Sequence, residues 1–152
     1  MSQHYQRMIL IMGILGFAAC GAPRPDSLGE RDGTLGPCPG TPNCVQTGLR
    51  HPSGTVGLYL DGSIYRDDLM PRLRAVVEAI PRTRIVTVTD RYIYAEVTSR
   101  VFRFVDDLEL LIAMDGELIV RSASRVGNGD LGVNAKRVEQ LRDALIEAGL
   151  IR

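Results

Sequence analysis

Long apolar runs, tryptophan and net charge are all missing from this chain of 152 residues. The longest apolar stretch, residues 8–19, has twelve residues, short of the roughly twenty that a helix needs to cross a bilayer of about 30 Å. The 18 Lys+Arg balance 18 Asp+Glu, so the basic excess of a broad nucleic-acid surface is absent and no nucleic-acid partner is expected. Lysine is reduced to Lys136, a bias that fits a GC-rich coding sequence better than an arginine-specific role. What is present is a 45% hydrophobic composition, too apolar for a disordered chain, in a length that suits one domain and not two.

The apolar run follows a short start containing His4 and Arg7 and closes on Phe17-Ala18-Ala19-Cys20. Its length suits a signal-peptide core. Small residues before a cysteine resemble the lipobox of bacterial lipoproteins, in which the cysteine receives lipid and becomes the new N-terminus, although Phe17 stands where Leu is usual. Residues 1–19 are therefore expected to be a lipoprotein signal peptide and Cys20 the lipidation site, with lipid-free secretion or an uncleaved short anchor as alternatives. The membrane is then the first partner and the bacterial cell envelope the location. Gly21 follows the cysteine in place of the Asp that favours inner-membrane retention in enteric bacteria, so the outer membrane facing the periplasm is the expected side.

With Cys20 lipidated, two cysteines remain, an even number in an oxidising compartment. Cys38 and Cys44 bracket Pro39, Gly40 and Pro42, which force turns, and a disulfide there closes a seven-residue loop worth about 2–3 kcal/mol by chain entropy. Metal ligation and redox catalysis are the other readings. Metal sites favour closer spacings with further ligands, of which only His51 is at hand, and redox pairs favour two intervening residues where this pair has five. The disulfide is preferred, and no metal or cofactor is expected.

Between Gly21 and Gly57 fourteen residues are Gly or Pro and no apolar period appears, so the segment reads as loop, with residues 20–36 a flexible tether and organised structure starting near Leu58. Asp68 is placed to cap a helix carrying Leu69, Leu73, Val76, Val77 and Ile80, and Asn134 one carrying Val138, Leu141, Leu145 and Ala148 that Gly149 stops. Between them, residues 83–89, 92–98, 101–105, 108–114 and 117–125 read as four or five strands in hairpin order. The expected fold is α+β: an antiparallel meander flanked by an N-terminal and a C-terminal helix, in a single domain over residues 37–152 preceded by a disulfide-pinned loop region.

If Asp115-Gly116 is a two-residue turn, Leu110 sits opposite Arg121 and Asp106 opposite Arg125. If Ser99-Arg100 is another, Glu96 faces Arg103. One face then collects Val86, Val88, Ile93, Ala95, Val97, Phe102, Phe104, Leu108, Leu110, Ile112 and Ile119 as the core. The other carries Tyr92, Tyr94, Glu96, Arg103, Asp107, Glu109, Ser122 and Ser124, read as a solvated face able to receive a partner or glycan. The same parity gathers Asp106, Arg121 and Arg125 at one end of the core face, either as a structural ion pair or as an anion site whose arginines offer forked donors to a carboxylate or phosphate. Enzyme signals are thin. Ser122 and Ser124 have no placed base, His51 lies in the irregular segment, and Asp106 and Asp107 point to opposite faces of a strand.

Residues 35–45 (LGPCPGTPNCV), 99–107 (SRVFRFVDD), 120–127 (VRSASRVG) and 130–134 (DLGVN) together resemble the domain-of-unknown-function 1499 family, over about residues 35–146. The family often has Ser-Ser after its second cysteine, where Val45-Gln46-Thr47 stand here, and an aromatic residue at the position of Asn128. The resemblance implies a small α/β domain, often exported in bacteria, and no activity. Its motifs fall on Arg103, Asp106, Asp107, Arg121, Ser122, Ser124 and Arg125. The expected function is that of an envelope lipoprotein whose domain binds or scaffolds an anionic small molecule or an envelope partner. A periplasmic hydrolase or transferase acting on an anionic envelope substrate is the alternative, and the enzyme question leans to no.

Overall fold

The structure, a computed structural model, describes residues 22–48, 57–64 and 66–151. The expected signal peptide, Cys20 and His51 lie outside them. Four strands of six to eight residues form the meander: β5 (Thr83–Val88), β6 (Tyr92–Thr98), β7 (Val105–Ile112) and β8 (Glu117–Ser124), numbered after four short strands that precede them. Those are β1 (Glu30–Arg31), β2 (Thr34–Leu35), β3 (Cys44–Gln46) and β4 (Leu58–Tyr59). The helices are α1 (Arg66–Glu78), between β4 and β5, and α2 (Val133–Glu147), after β8. The sheet runs β3-β8-β7-β6-β5 with all pairs antiparallel, and β4 shares the β8 edge with β3. The fold is α+β, as expected.

Leu73 and Val77 of α1 and Val138, Leu141 and Leu145 of α2 pack on Ile93, Ala95, Val97, Leu108, Leu110, Leu118 and Val120 to form the main core. Gly149, at φ 61, turns the chain after α2, so that the Leu150 amide donates to the Leu145 carbonyl at 2.8 Å and the Leu150 side chain returns to the core.

Four local findings correct the expected register. The turn between β7 and β8 has three residues, 114–116. The Ala113 amide donates to the Glu117 carbonyl at 2.8 Å, and Gly116 takes the left-handed φ of 85 that closes a three-residue hairpin. Leu110 therefore faces Val120, Glu109 faces Arg121 and Asp106 faces Ser124. A one-residue slip exchanges the faces of a strand, so Ser122 lies on the core face while Arg121 and Ile119 lie on the other. The expected strand at 101–105 is mostly loop. The Ser99 amide and hydroxyl hold the backbone of Phe104 at 2.8 and 2.9 Å, β7 starts only at Val105, and Glu96 faces Asp107 in place of Arg103. Phe102 and Phe104 are exposed instead of joining the core. Ile85 pairs with Ala95 on the core side, so Val86 falls on the outer face, and past the bulge between Ile85 and Thr87 Val88 is exposed. Finally, Asp130 and not Asn134 caps α2, its side chain accepting from the amides of Gly132 (3.0 Å) and Asn134 (2.6 Å). Asp68 lies inside the first turn of α1.

The outer face is covered, not solvated. Residues 22–36 run across it as a strap: Leu28 and Leu35 pack with Tyr92, Tyr94, Leu111 and Ile119 in a second apolar cluster. Gly36 passes so close to Ser27 that a Cβ there would stand 2.6 Å from its carbonyl oxygen, which explains a glycine in the strap. From Ala22 onward the expected tether is therefore laid on the sheet. β7 and β8 end up buried on both faces along nearly their whole length.

Candidate functional site

Polar side chains take over from the apolar core at one end of the sheet, where β7 begins and β8 ends. Asn134 and Arg137, one turn apart on α2, share the inward face with Val138 and Leu141. Arg137 Nη2 donates to Asp106 Oδ2 at 2.7 Å, and its Nη1 donates to Ser122 Oγ at 2.9 Å and to Asn134 Oδ1. Ser122 Oγ donates to Asn134 Oδ1 at 2.6 Å. The Asn134 amide nitrogen donates to Ser124 Oγ at 2.9 Å and to the Asn43 carbonyl at 3.0 Å. Asn43 in turn donates to the Gly127 carbonyl at 2.6 Å. Of these side chains all but that of Ser124 are buried. The knot thus ties the disulfide loop, β8, its exit loop and α2 together, and its donors and acceptors are directed inward.

Behind it, on the outer face, stands a second network. Arg125 Nε donates to both oxygens of Asp107 at 3.0 Å, and Nη2 reaches Asp107 at 2.6 Å, Glu96 at 2.7 Å and the Tyr94 hydroxyl at 2.8 Å. Its Nη1 donates to the Ala22 carbonyl at 3.2 Å, and Tyr94 donates to Asp107 at 2.7 Å. Arg24 (2.8 Å) and Arg84 also hold Glu96, and the Arg24 guanidinium sits 5.7 Å above the Tyr94 ring. One row along, Glu109 accepts from Arg121 Nη1 at 2.7 Å, from the Tyr92 hydroxyl at 2.8 Å and from the Gly29 amide of the strap at 2.7 Å.

These contacts set the protonation states. Burial pushes the Glu96 carboxyl up, but hydrogen bonds from Arg125, Arg24 and Arg84 outweigh it and hold it at about 2. The hydrogen bonds to Asp107 raise Arg125 above its ordinary value, against the opposing effect of burial. Burial, reinforced by the neighbouring carboxylates, raises both Tyr92 and Tyr94, so both phenols stay neutral donors.

The expected grouping of Asp106 with Arg121 and Arg125 does not form. Asp106 pairs with Arg137 on the helix side, and the two arginines pair with Glu109, Asp107 and Glu96 on the other, because of the three-residue turn. Ser122 and Ser124 belong to the helix-side knot, and among the described residues neither hydroxyl is hydrogen-bonded to a histidine or a carboxylate. Arg103 is exposed at φ 55 in the loop before β7, away from both networks. The Cys38–Cys44 disulfide is formed, with Cα atoms 5.6 Å apart. Sequence reasoning passed over Asn43, Arg137 and the role of Asn134, and left Glu109 among solvated groups. The available signals were a polar pair on the apolar face of α2 and a lone Glu inside Leu108-Glu109-Leu110-Leu111.

The strap leaves one groove of about 1100 Å³. The β1–β2 hairpin and the disulfide loop bound one side and the β7–β8 turn the other, with Leu35 and Ile119 among the apolar lining and Asp32, Asp115 and Glu117 among the acidic. Gln46 also lines it; the residue is buried, and among the described residues its Oε1 has no hydrogen-bond partner. Among the described residues no group of three or more His, Cys, Asp or Glu is placed to hold a metal.

A family model described as protein of unknown function (DUF1499) matches residues 34–145. The chain belongs to the DUF1499 family. No curated protein matches it. The DUF1499 match begins at β2, takes in the disulfide loop and the whole meander, and ends within α2. Both polar networks therefore fall mostly within the DUF1499 region, while the strap contacts of Ala22, Arg24 and Gly29 lie before it.

Proposed function

We propose that this protein is an exported, lipid-anchored component of the bacterial envelope, attached through Cys20 with its domain facing the periplasm, and that the domain is a rigid binding module. The observation that carries the binding reading is the groove under the strap, lined in part by Gln46, a buried residue whose Oε1 has no hydrogen-bond partner among the described residues. An unpaired buried acceptor is costly, on the order of 1–3 kcal/mol, and a ligand donor removes that cost. The arginines that suggested an anion site are each matched by internal carboxylates, and exposed Asp32 and Asp115 line the groove. The ligand class thereby shifts from an anion to a largely apolar molecule bearing a neutral or cationic N–H or O–H donor. The anchor reading rests on the lipobox-like Phe17-Ala18-Ala19-Cys20.

Mass spectrometry of the full chain, extracted gently from native membranes, tests both parts. The denatured mass is expected to show acylation at Cys20 and two hydrogens lost at Cys38 and Cys44. The native spectrum is expected to carry an added mass that Thr34→Trp and Gln46→Leu each remove. A bare native chain sinks the binding reading, and an unacylated Cys20 sinks the anchor.

A further inference from the structure

The two phenylalanines of the folded domain, Phe102 and Phe104, are both on its surface, 74% and 48% exposed, in the loop between β6 and β7. Their rings stack at 5.6 Å, and the bonds from Ser99 to Phe104 hold the loop closed, with Arg103 at φ 55 between them. A non-glycine residue at such a φ is uncommon, and the surrounding contacts must hold it there. The antiparallel order puts this loop at the same end of the sheet as the β8–α2 connection, which exposes Val126 and Leu131. A monomeric domain seldom displays so many large apolar side chains at one end without a surface to receive them.

Charge follows the same division. The carboxylates at this end, Glu96, Asp106, Asp107 and Asp130, are held by arginines or by the α2 amides. Arg82, Arg100 and Arg103 are exposed there, so the end is basic as well as apolar. The far end presents exposed Asp32, Asp90 and Asp115 in its turns, with Arg31 and the Glu30-paired Arg91 beside them. The chain also enters at the basic end: the Ala22 carbonyl accepts from Arg125, the residue just past β8, and Arg24 reaches Glu96. Cys20 is two residues before Ala22, and the apolar run at 8–19 precedes it. An anchor there places this end, and no other, against the membrane.

We propose that this end of the domain docks on an anionic phospholipid bilayer, with Phe102 and Phe104 entering the interface and Arg100 and Arg103 at the level of the phosphates. The proposal rests on the anchor reading for its orientation. Aromatic and aliphatic side chains set beside arginines are the pattern of interfacial attachment, where apolar groups sink about 5–10 Å and cations pair with headgroups. The strap then turns back from the membrane, and the groove opens near the far end, toward the periplasm.

The absence of tryptophan makes a direct test available. Phe102→Trp and, at the exposed far-end turn, Met114→Trp each give the full-length protein a single tryptophan, excited at the red edge where the five tyrosines do not absorb. The two are reconstituted in vesicles of phosphatidylethanolamine and phosphatidylglycerol, with and without brominated acyl chains. The Phe102→Trp emission is expected to shift to the blue and lose about half its intensity to the bromines, while the Met114→Trp emission stays unchanged. Adding Arg100→Glu and Arg103→Glu to Phe102→Trp is expected to abolish the quenching. Intact mass on the same samples reports acylation separately. Acylated protein in which Phe102→Trp is quenched no more than Met114→Trp overturns the docking and leaves the anchor standing. Unacylated protein that still quenches at Phe102→Trp sustains the docking and removes the anchor.

Discussion

The two faces of the sheet are both buried, yet by different means. On the helix side burial follows periodicity: α1 and α2 present apolar stripes to Ile93, Ala95, Leu108, Leu110 and Val120, and polarity is confined to the knot around Arg137. On the outer side the cover is a strap of turns with hardly any regular structure, held by Arg125, Arg24, Glu109 and Glu96 through charge-assisted hydrogen bonds. The comparison teaches that a segment without its own hydrophobic pattern can still be an ordered layer when the strands beneath it supply the donors and acceptors. It also separates two kinds of stability. Apolar burial degrades gradually as groups are removed, whereas a buried ionic network fails sharply when one partner is lost.

Arg125→Leu removes the central cation of the outer network. It leaves Asp107 and Glu96 facing each other without their shared cation and is expected to lower stability by about 3–5 kcal/mol in urea unfolding. Trypsin should then cut the strap at Arg24 and Arg31 while α2 stays protected. Strap cleavage no faster than in the wild type would mean that the outer network does not hold the cover. Leu141→Ala, on the helix side, is expected to lose about 2–4 kcal/mol by transfer and cavity formation, with the strap as resistant to trypsin as before. Disruption of both layers by this one change would show that the faces are coupled.

This division also explains what could be read from the sequence. The helices and the meander strands β5 to β8 were legible because their patterns at 3.6 and 2 residues are properties of the segments themselves. The candidate site was not, because it depended on register, and register was decided by a single residue in the 114–116 turn. Asp115-Gly116 signals a turn equally well in two-residue and three-residue form, and only the longer one sends Arg121 outward and Ser122 inward. Residues 101–105 have strand-like composition, yet Ser99 closes a loop across them. The strap was illegible for the opposite reason: Leu35 is its one fully buried large apolar side chain, and the polar groups that fasten it to the sheet, such as Glu109 and Arg125, are more than sixty residues away.

Removing the disulfide sharpens the comparison at an intermediate scale. Cys38 and Cys44 join the strap to the β3 edge of the sheet, and Cys38→Ser with Cys44→Ser is expected to cost about 2–3 kcal/mol by freeing a short loop. The strap residues 22–35 should retain their protection in the variant, since the arginine–carboxylate contacts hold them independently. Loss of protection there would make the disulfide, and not the ionic network, the fastening of the cover.

The smallest effect is set by acid. Glu96 ionises at about 2 in the fold against an ordinary value of 4.5, burial being outweighed by Arg125, Arg24 and Arg84. A carboxyl depressed in this way stabilises the folded state fully above about pH 4.5, and its contribution fades as the pH falls toward 2. With Arg24 and Arg84 half exposed or more and therefore screened, the loss over that window is expected to be about 1–2 kcal/mol. Glu96→Gln should flatten the acid limb of the stability curve by that amount while leaving α1 and α2 packed, as followed by far-UV circular dichroism. An unchanged acid limb in Glu96→Gln would overturn the assignment of this acid sensitivity to Glu96.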